Sequence, residues 1–251
     1  MRIGRLALAA ALVVCTAPGA LAQTEERTLT PLETAVACAP PTSFDLQNDK
    51  LRITGSQDTV PRTVFGEKDL LVLNGGAGSD VQLGQRYFIR RPIYFGTTRM
   101  TARPEGMLTL GWVRIVAVND ATAIAAVEHF CSAIFSGDML QPFVRPSLPA
   151  DADQDVASGK PDFSSLGRVL FGVENHSTGG GGDLMLIDRG SDQGVTPGAR
   201  FAVYRDVRAP GVPLSSVGEG IVVSIGKTMS LARITRSRDA IVTGDYVVPR
   251  K

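Results

Sequence analysis

Few residues in this chain have the types and spacing that chemistry requires. Ser224-Ile225-Gly226-Lys227 matches S-x-x-K, the nucleophile pattern of penicillin-binding enzymes. Its companions S-D-N and K-T-G do not occur, and the match falls where a strand is predicted to turn. It therefore predicts no nucleophile. The run Gly179–Gly182 lacks the Gly-Lys-Ser/Thr that would hold phosphate and metal, and neither G-x-G-x-x-G nor G-x-S-x-G occurs. His129 and His176 are the only histidines. Without H-x-x-x-H or C-x-x-C, the spacing offers no His/Cys zinc site. Asp151, Asp153 and Asp155 alternate and could lend oxygens to Ca²⁺. They stand in a polar stretch, however, and read as a solvated linker. Asp138 and Asp245 each follow a glycine and precede an expected strand, so both read as turn residues. These readings predict a non-enzymatic protein with no catalytic residue, cofactor or metal.

The elements that would position any site come from a stretch used twice. Asp69–Arg91 (DLLVLNGGAGSDVQLGQRYFIRR) and Asp183–Arg205 (DLMLIDRGSDQGVTPGARFAVYR) align without a gap at an offset of 114. Asp69/Asp183, Gly76/Gly190, Val81/Val195, Gly84/Gly198, Arg86/Arg200 and Arg91/Arg205 are identical. Gly111–Phe143 and Gly218–Arg250 align at an offset of 107, so the first copy carries seven extra residues between Arg91 and Gly111. A repeat of this length is a whole small domain. Each copy begins with a short apolar run, passes a glycine turn and enters an alternating strand, such as Arg200–Arg205 with Phe201 and Val203 on one face. Met107–Val118 and Ala121–Phe130 predict a hairpin turning at Asn119-Asp120. The fold expected is all-β: two tandem small barrel-like domains related by internal duplication. Domain one covers 46–144, a linker 145–165 and domain two 166–251.

The remaining segments bear on location. Residues 1–22 carry Arg2 and Arg5, an apolar run Leu6–Val14 and Ala20-Leu21-Ala22, which together predict a cleavable signal peptide and a mature start at Gln23. Its removal takes two arginines and leaves 24 of the 26 basic residues against 25 acidic ones. That balance argues against a nucleic-acid binder, which needs a basic excess. No second apolar run is long enough to span a bilayer. The expected location is periplasmic or secreted. Residues 23–45 show little periodicity and read as an extended lead. The two mature cysteines, Cys38 and Cys131, favour a disulfide in an oxidising compartment. The competing reading is a buried Cys131 and a free Cys38 thiol. Pro146–Ser165, rich in Pro, Ala, Asp and Ser, reads as a polar spacer.

The order of these motifs resembles a β-rich domain of bacterial envelope proteins, found beside peptidoglycan-binding LysM domains. More distantly it is similar to the C-terminal domain of the flagellar H-ring assembly protein T. Asp183, Gly190, Gly194-Val195, Gly198, Phe201, Val203, Arg205, Ala240-Ile241, Gly244-Asp245 and Pro249 carry the likeness in the second copy. The first copy departs from it where Asp80 stands opposite Gly194. The resemblance implies an envelope setting and brings no catalytic residues.

The function expected is an exported scaffold or adaptor of the cell envelope that binds other envelope proteins. The alternative is a peptidoglycan- or glycan-binding module. The longer excursion after Arg91 is the expected partner site, carried by Arg91, Tyr94, Phe95, Arg99 and Arg103. Arginine and tyrosine combine broad contact area with fixed donors. Tyr87 is expected in the core, because its counterpart Phe201 alternates with Val203.

Overall fold

The computed structural model describes residues 28–42, 49–93, 106–155 and 159–251. The predicted signal segment lies outside these. The described residues form an all-β fold with one short α-helix, α1 (Pro31–Cys38). The first eight strands are β1 (Ile53–Ser56), β2 (Val64–Phe65), β3 (Leu70–Leu73), β4 (Arg86–Ile93), β5 (Gly106–Val118), β6 (Ala123–Phe130), β7 (Ile134–Phe135) and β8 (Met139–Pro142). The next eight are β9 (Gly167–Gly172), β10 (Thr178–Gly179), β11 (Leu184–Ile187), β12 (Arg200–Arg205), β13 (Ser215–Ile225), β14 (Ser230–Ser237), β15 (Ile241–Val242) and β16 (Tyr246–Pro249).

Both sets pair in the same order. The first forms a sheet β1-β3-β6-β5-β4-β8 with a separate ribbon β2-β7. The second forms a closed barrel β11-β14-β13-β12-β16-β9 with a ribbon β10-β15. The first sheet brings its two ends together through a single bridge, Arg52↔Met139, where the barrel pairs Arg168↔Tyr246. The expected hairpin is present, with Val118 opposite Ala123 and Asn119 N–H donating to the Thr122 carbonyl at 2.8 Å.

Local chemistry explains why both units fold this way. The glycine at 76 or 190 lies against the backbone of the neighbouring hairpin turn. A Cβ there would sit 2.0 Å from the Asn119 carbonyl or 2.4 Å from that of Lys227. The 3₁₀ turn that follows ends in the left-handed region, at Asp80 (φ 60°) in the first copy and Gly194 (φ 76°) in the second. Asp is among the few residues other than glycine that enter this region without large strain, which is why the substitution is tolerated. The first unit, β1–β8, buries Ile53, Leu71, Leu73, Ile89, Leu110, Ile115, Ile134 and Leu140 in its core. Tyr87 packs on this core as expected. The barrel buries Val169, Met185, Ile187, Phe201, Val203, Val222 and Val247.

Two expectations about the connecting segments are overturned. The lead is not extended over 31–38. Thr30 caps a helix there: its hydroxyl accepts from Glu33 N–H at 3.2 Å, its own N–H donates to Glu33 Oε2 at 2.6 Å, and Pro31 occupies the first turn. A helix this short is marginal alone, so packing must hold it, and both sides of α1 are used. Leu32, Val36 and Ala39 lie on the outer face of the barrel, over Leu184, Leu186, Ile221, Val223 and Leu231. Ala37 and Cys38 face Phe88 and Trp112 of the first unit. Thr42 then runs so close to the barrel that a Cβ on Gly226 would lie 1.6 Å from its carbonyl oxygen.

The linker is not a free spacer either. Leu148 and the buried Ala152 join the apolar cluster over the barrel. Its alternating aspartates meet barrel arginines in turn: Asp151 with Arg200 at 2.6 Å, Asp153 with Arg233 at 3.5 Å, Asp155 with Arg236 at 3.0 Å. The acidic alternation is a strap whose carboxylates pair with arginines of two barrel strands, Arg200 on β12 and Arg233 and Arg236 on β14.

Candidate functional site

Three constellations could carry function. The first is an arginine–aspartate node present in each unit. Arg91 reaches Asp138 through Nε (2.8 Å) and Nη2 (2.6 Å), and Asp138 also accepts from Phe135 N–H at 2.7 Å. Arg205 reaches Asp245 at 2.9 and 2.7 Å, and Asp245 accepts from Val242 N–H at 2.8 Å. Both aspartates are buried. They are therefore more than turn residues: each ties the end of one long strand to the turn before the last strand. Arg91, expected at a partner surface, is held in this node and lies over the Phe135 ring at 4.4 Å. Tyr94, Phe95, Arg99 and Arg103 lie outside the described residues.

The second is an aromatic node around the disulfide. Cys38 and Cys131 are bonded, with Cα atoms 5.5 Å apart. His129 joins them, all three ligand atoms falling within 4.8 Å of one another. Spacing along the chain could not reveal this trio, because α1 delivers Cys38 from a distant segment. As a disulfide the two sulfurs are not thiolates, so the trio is not a metal site in this state. His129 stacks on Trp112 at 4.3 Å, and Phe88 meets Trp112 edge-on at 6.2 Å. Trp112, the only tryptophan, is buried beneath α1. It is thus not offered to a sugar ring.

The third is the seam itself. A cleft of about 370 Å³ opens where α1, the segment after it, the first sheet and the barrel meet. Arg90, Thr109 and Gln141 come from the first sheet, Thr42 from the lead, Ser224 and Leu231 from the barrel. Residues of the S-x-x-K match thus lie beside Thr42, but Lys227 is exposed and Ser224 has no base described beside it. Arg90 donates to the Thr109 hydroxyl and lies over the Phe88 ring at 4.6 Å. Its Nε is buried and has no acceptor. Desolvation alone lowers its pKa to about 10, which leaves it a cation at neutral pH.

The seam is clamped at the start of α1. Arg145 of the linker donates to Glu33 through Nε and Nη2, both at 2.7 Å. The Arg145 hydrogen bond, with that of the Thr30 backbone behind it, lowers the Glu33 pKa from 4.5 to about 2. A carboxylate depressed on folding stabilises the protein above its unfolded pKa, and that contribution is lost as pH falls through the folded value. Wild type is therefore expected to lose stability relative to Glu33→Gln between about pH 4.5 and 2. Urea unfolding at several pH values checks this. A wild-type-to-variant difference that stays constant across the window would contradict it.

No protein-family model matches the chain, and no curated protein matches it in sequence. The fold class is therefore what can be stated plainly: an all-β protein combining a closed six-stranded barrel with a six-stranded sheet of the same strand order. Among the described residues no helix is long and apolar enough to cross a membrane.

Proposed function

We propose that this protein is an exported, non-enzymatic scaffold of the cell envelope. It holds two duplicated β units in a fixed arrangement and offers them to other envelope proteins. The observation that carries the reading is the position of α1. One helix is bonded to the first unit by a disulfide, clamped to the linker by Glu33–Arg145 and packed on the outer face of the barrel. An arrangement fixed at three points suits presentation of surfaces more than chemistry in a flexing cleft. The disulfide fits an oxidising compartment, in keeping with the signal-like N-terminus. The partner surface is assigned to the excursion containing Tyr94, Phe95, Arg99 and Arg103.

The test is capture from envelope extract on immobilised residues 23–251, run beside the Tyr94→Ala/Arg99→Ala double variant. A protein partner retained by the wild type and lost by the variant, at unchanged melting temperature, is expected. Retention of purified peptidoglycan with no protein partner would replace this reading by glycan binding. A cytoplasmic form of the protein in its native host that begins at Met1 would overturn export.

A further inference from the structure

Arg90 is a half-buried cation whose Nε is fully buried, and among the described residues it has no counter-charge. Burial of a charge costs several kcal/mol unless it is paired, and buried arginines are accordingly found with carboxylates. Here the two contacts are neutral, the Thr109 hydroxyl and the Phe88 ring, and Nε has no acceptor. Among the described residues no carboxylate lies within ion-pair range of it. Val36, Ala37 and Ala39, at the C-terminal end of α1, line the same cleft, and the negative end of so short a helix offsets part of the charge at most.

The walls define what would complete the site. Among the described residues that line the cleft, Arg90 is the single ionisable one. A phosphate dianion calls for a second cation or a fan of backbone N–H groups, and the described lining residues include no second cation. One positive charge matches one carboxylate, whose two oxygens fit a guanidinium fork. No described lining residue is a carboxylate, so an ammonium group would find no partner among them, which disfavours free amino acids. Pro40, Pro41, Met107, Val144 and Leu231 supply apolar wall, while Thr42, Gln141 and Ser224 can serve one neutral polar group. The volume is at the lower end of the ~300–1,000 Å³ typical of ligand clefts.

We propose that the seam cleft binds a monocarboxylate with an apolar body, paired with Arg90. The inference does not depend on the scaffold reading. Because lead, sheet and barrel all line the cleft, an occupant would bridge all three and tighten the seam.

The test uses the whole mature chain, residues 23–251. Phenylpropionate is compared with phenylpropanol, and acetyl-Ala-Leu with its C-terminal amide, by calorimetry and thermal shift. The acids are expected to raise the melting temperature saturably and to bind at least about tenfold more tightly than their neutral counterparts. A response to phenylpropionate alone assigns a small-molecule source, and a stronger response to the peptide acid assigns a chain terminus. Arg90→Met is expected to lose the response and, unliganded, to melt no lower than wild type, since a half-buried charge with no described counter-charge and an unsatisfied Nε has been removed. Ser224→Leu, which fills the cleft from the barrel side and leaves Arg90 in place, is expected to lose the response too. Acid and neutral probes behaving alike, no response from either acid, or tighter binding of inorganic phosphate would each overturn the proposal.

Discussion

Asp245→Ala is expected to lower the unfolding free energy by about 3 kcal/mol, and Asp138→Ala by a similar amount. Each aspartate collects three charge-assisted hydrogen bonds, two from one arginine and one from a backbone N–H in the turn ahead. Removal of the carboxylate leaves a buried backbone N–H unsatisfied and strips the guanidinium of two bonds, although Arg205 keeps Asp239 and the Ala240 carbonyl and Arg91 keeps the Ala133 carbonyl; this is costly even though the intact pair adds little over an apolar replacement. The arginines keep some access to water, with side-chain exposures of 30% for Arg91 and 26% for Arg205. That access keeps the expected loss at the lower end of the range for broken buried pairs. Guanidinium unfolding monitored by circular dichroism measures it, and a loss below ~1 kcal/mol would show that the node is not a structural tie.

The second large effect is expected from the disulfide. Cys38 and Cys131 are separated by 93 residues, and closing a loop of that size is worth roughly 4–5 kcal/mol in the chain-entropy picture, often less in practice. The Cys38→Ser/Cys131→Ser variant should lose about 2–4 kcal/mol. The manner of the loss is more diagnostic than its size. α1 is anchored to the first unit by sulfur but covers the barrel of the second, so the bond couples both. The oxidised chain is expected to unfold in one transition and the variant in two. Two transitions in both proteins, at unchanged spacing, would show that α1 does not couple the units.

The fold was largely readable from the residues because its signals are local and occur twice. Gly76 and Gly190, the strand alternation and the Asn119-Asp120 turn report directly on backbone geometry. The helix was readable as well but was missed. Thr30-Pro31-Leu32-Glu33 has the S/T-x-x-E pattern of a capping box with proline in the first turn, but the segment is too short for periodicity to stand out. The covered face of the barrel left a subtler trace. Ile221 stands where the first copy has Arg114, 107 residues earlier, an apolar residue on a face that should meet water. Arg91 was legible as important and its role was not, because its partner Asp138 lies 47 residues away. The seam cleft was not legible at all. It draws on the lead, on strands of the first sheet, on the start of the linker and on the barrel, and no spacing within one segment marks it.

The order in which the chain is made gives α1 a further consequence. Chains are synthesised from the N-terminus, and their early parts fold first. The surface that α1 covers, Leu184, Leu186, Ile221, Val223 and Leu231, is the last third of the protein to appear. Its cover is among the first segments to appear. Once Cys131 has emerged, oxidation can park α1 on the first unit, with Leu32 and Val36 turned toward a barrel that does not yet exist. The first unit then waits as a template, and the nascent barrel closes against a lid already in place. Its apolar outer face is never left long in water, and a barrel that fails to close exposes both itself and its lid.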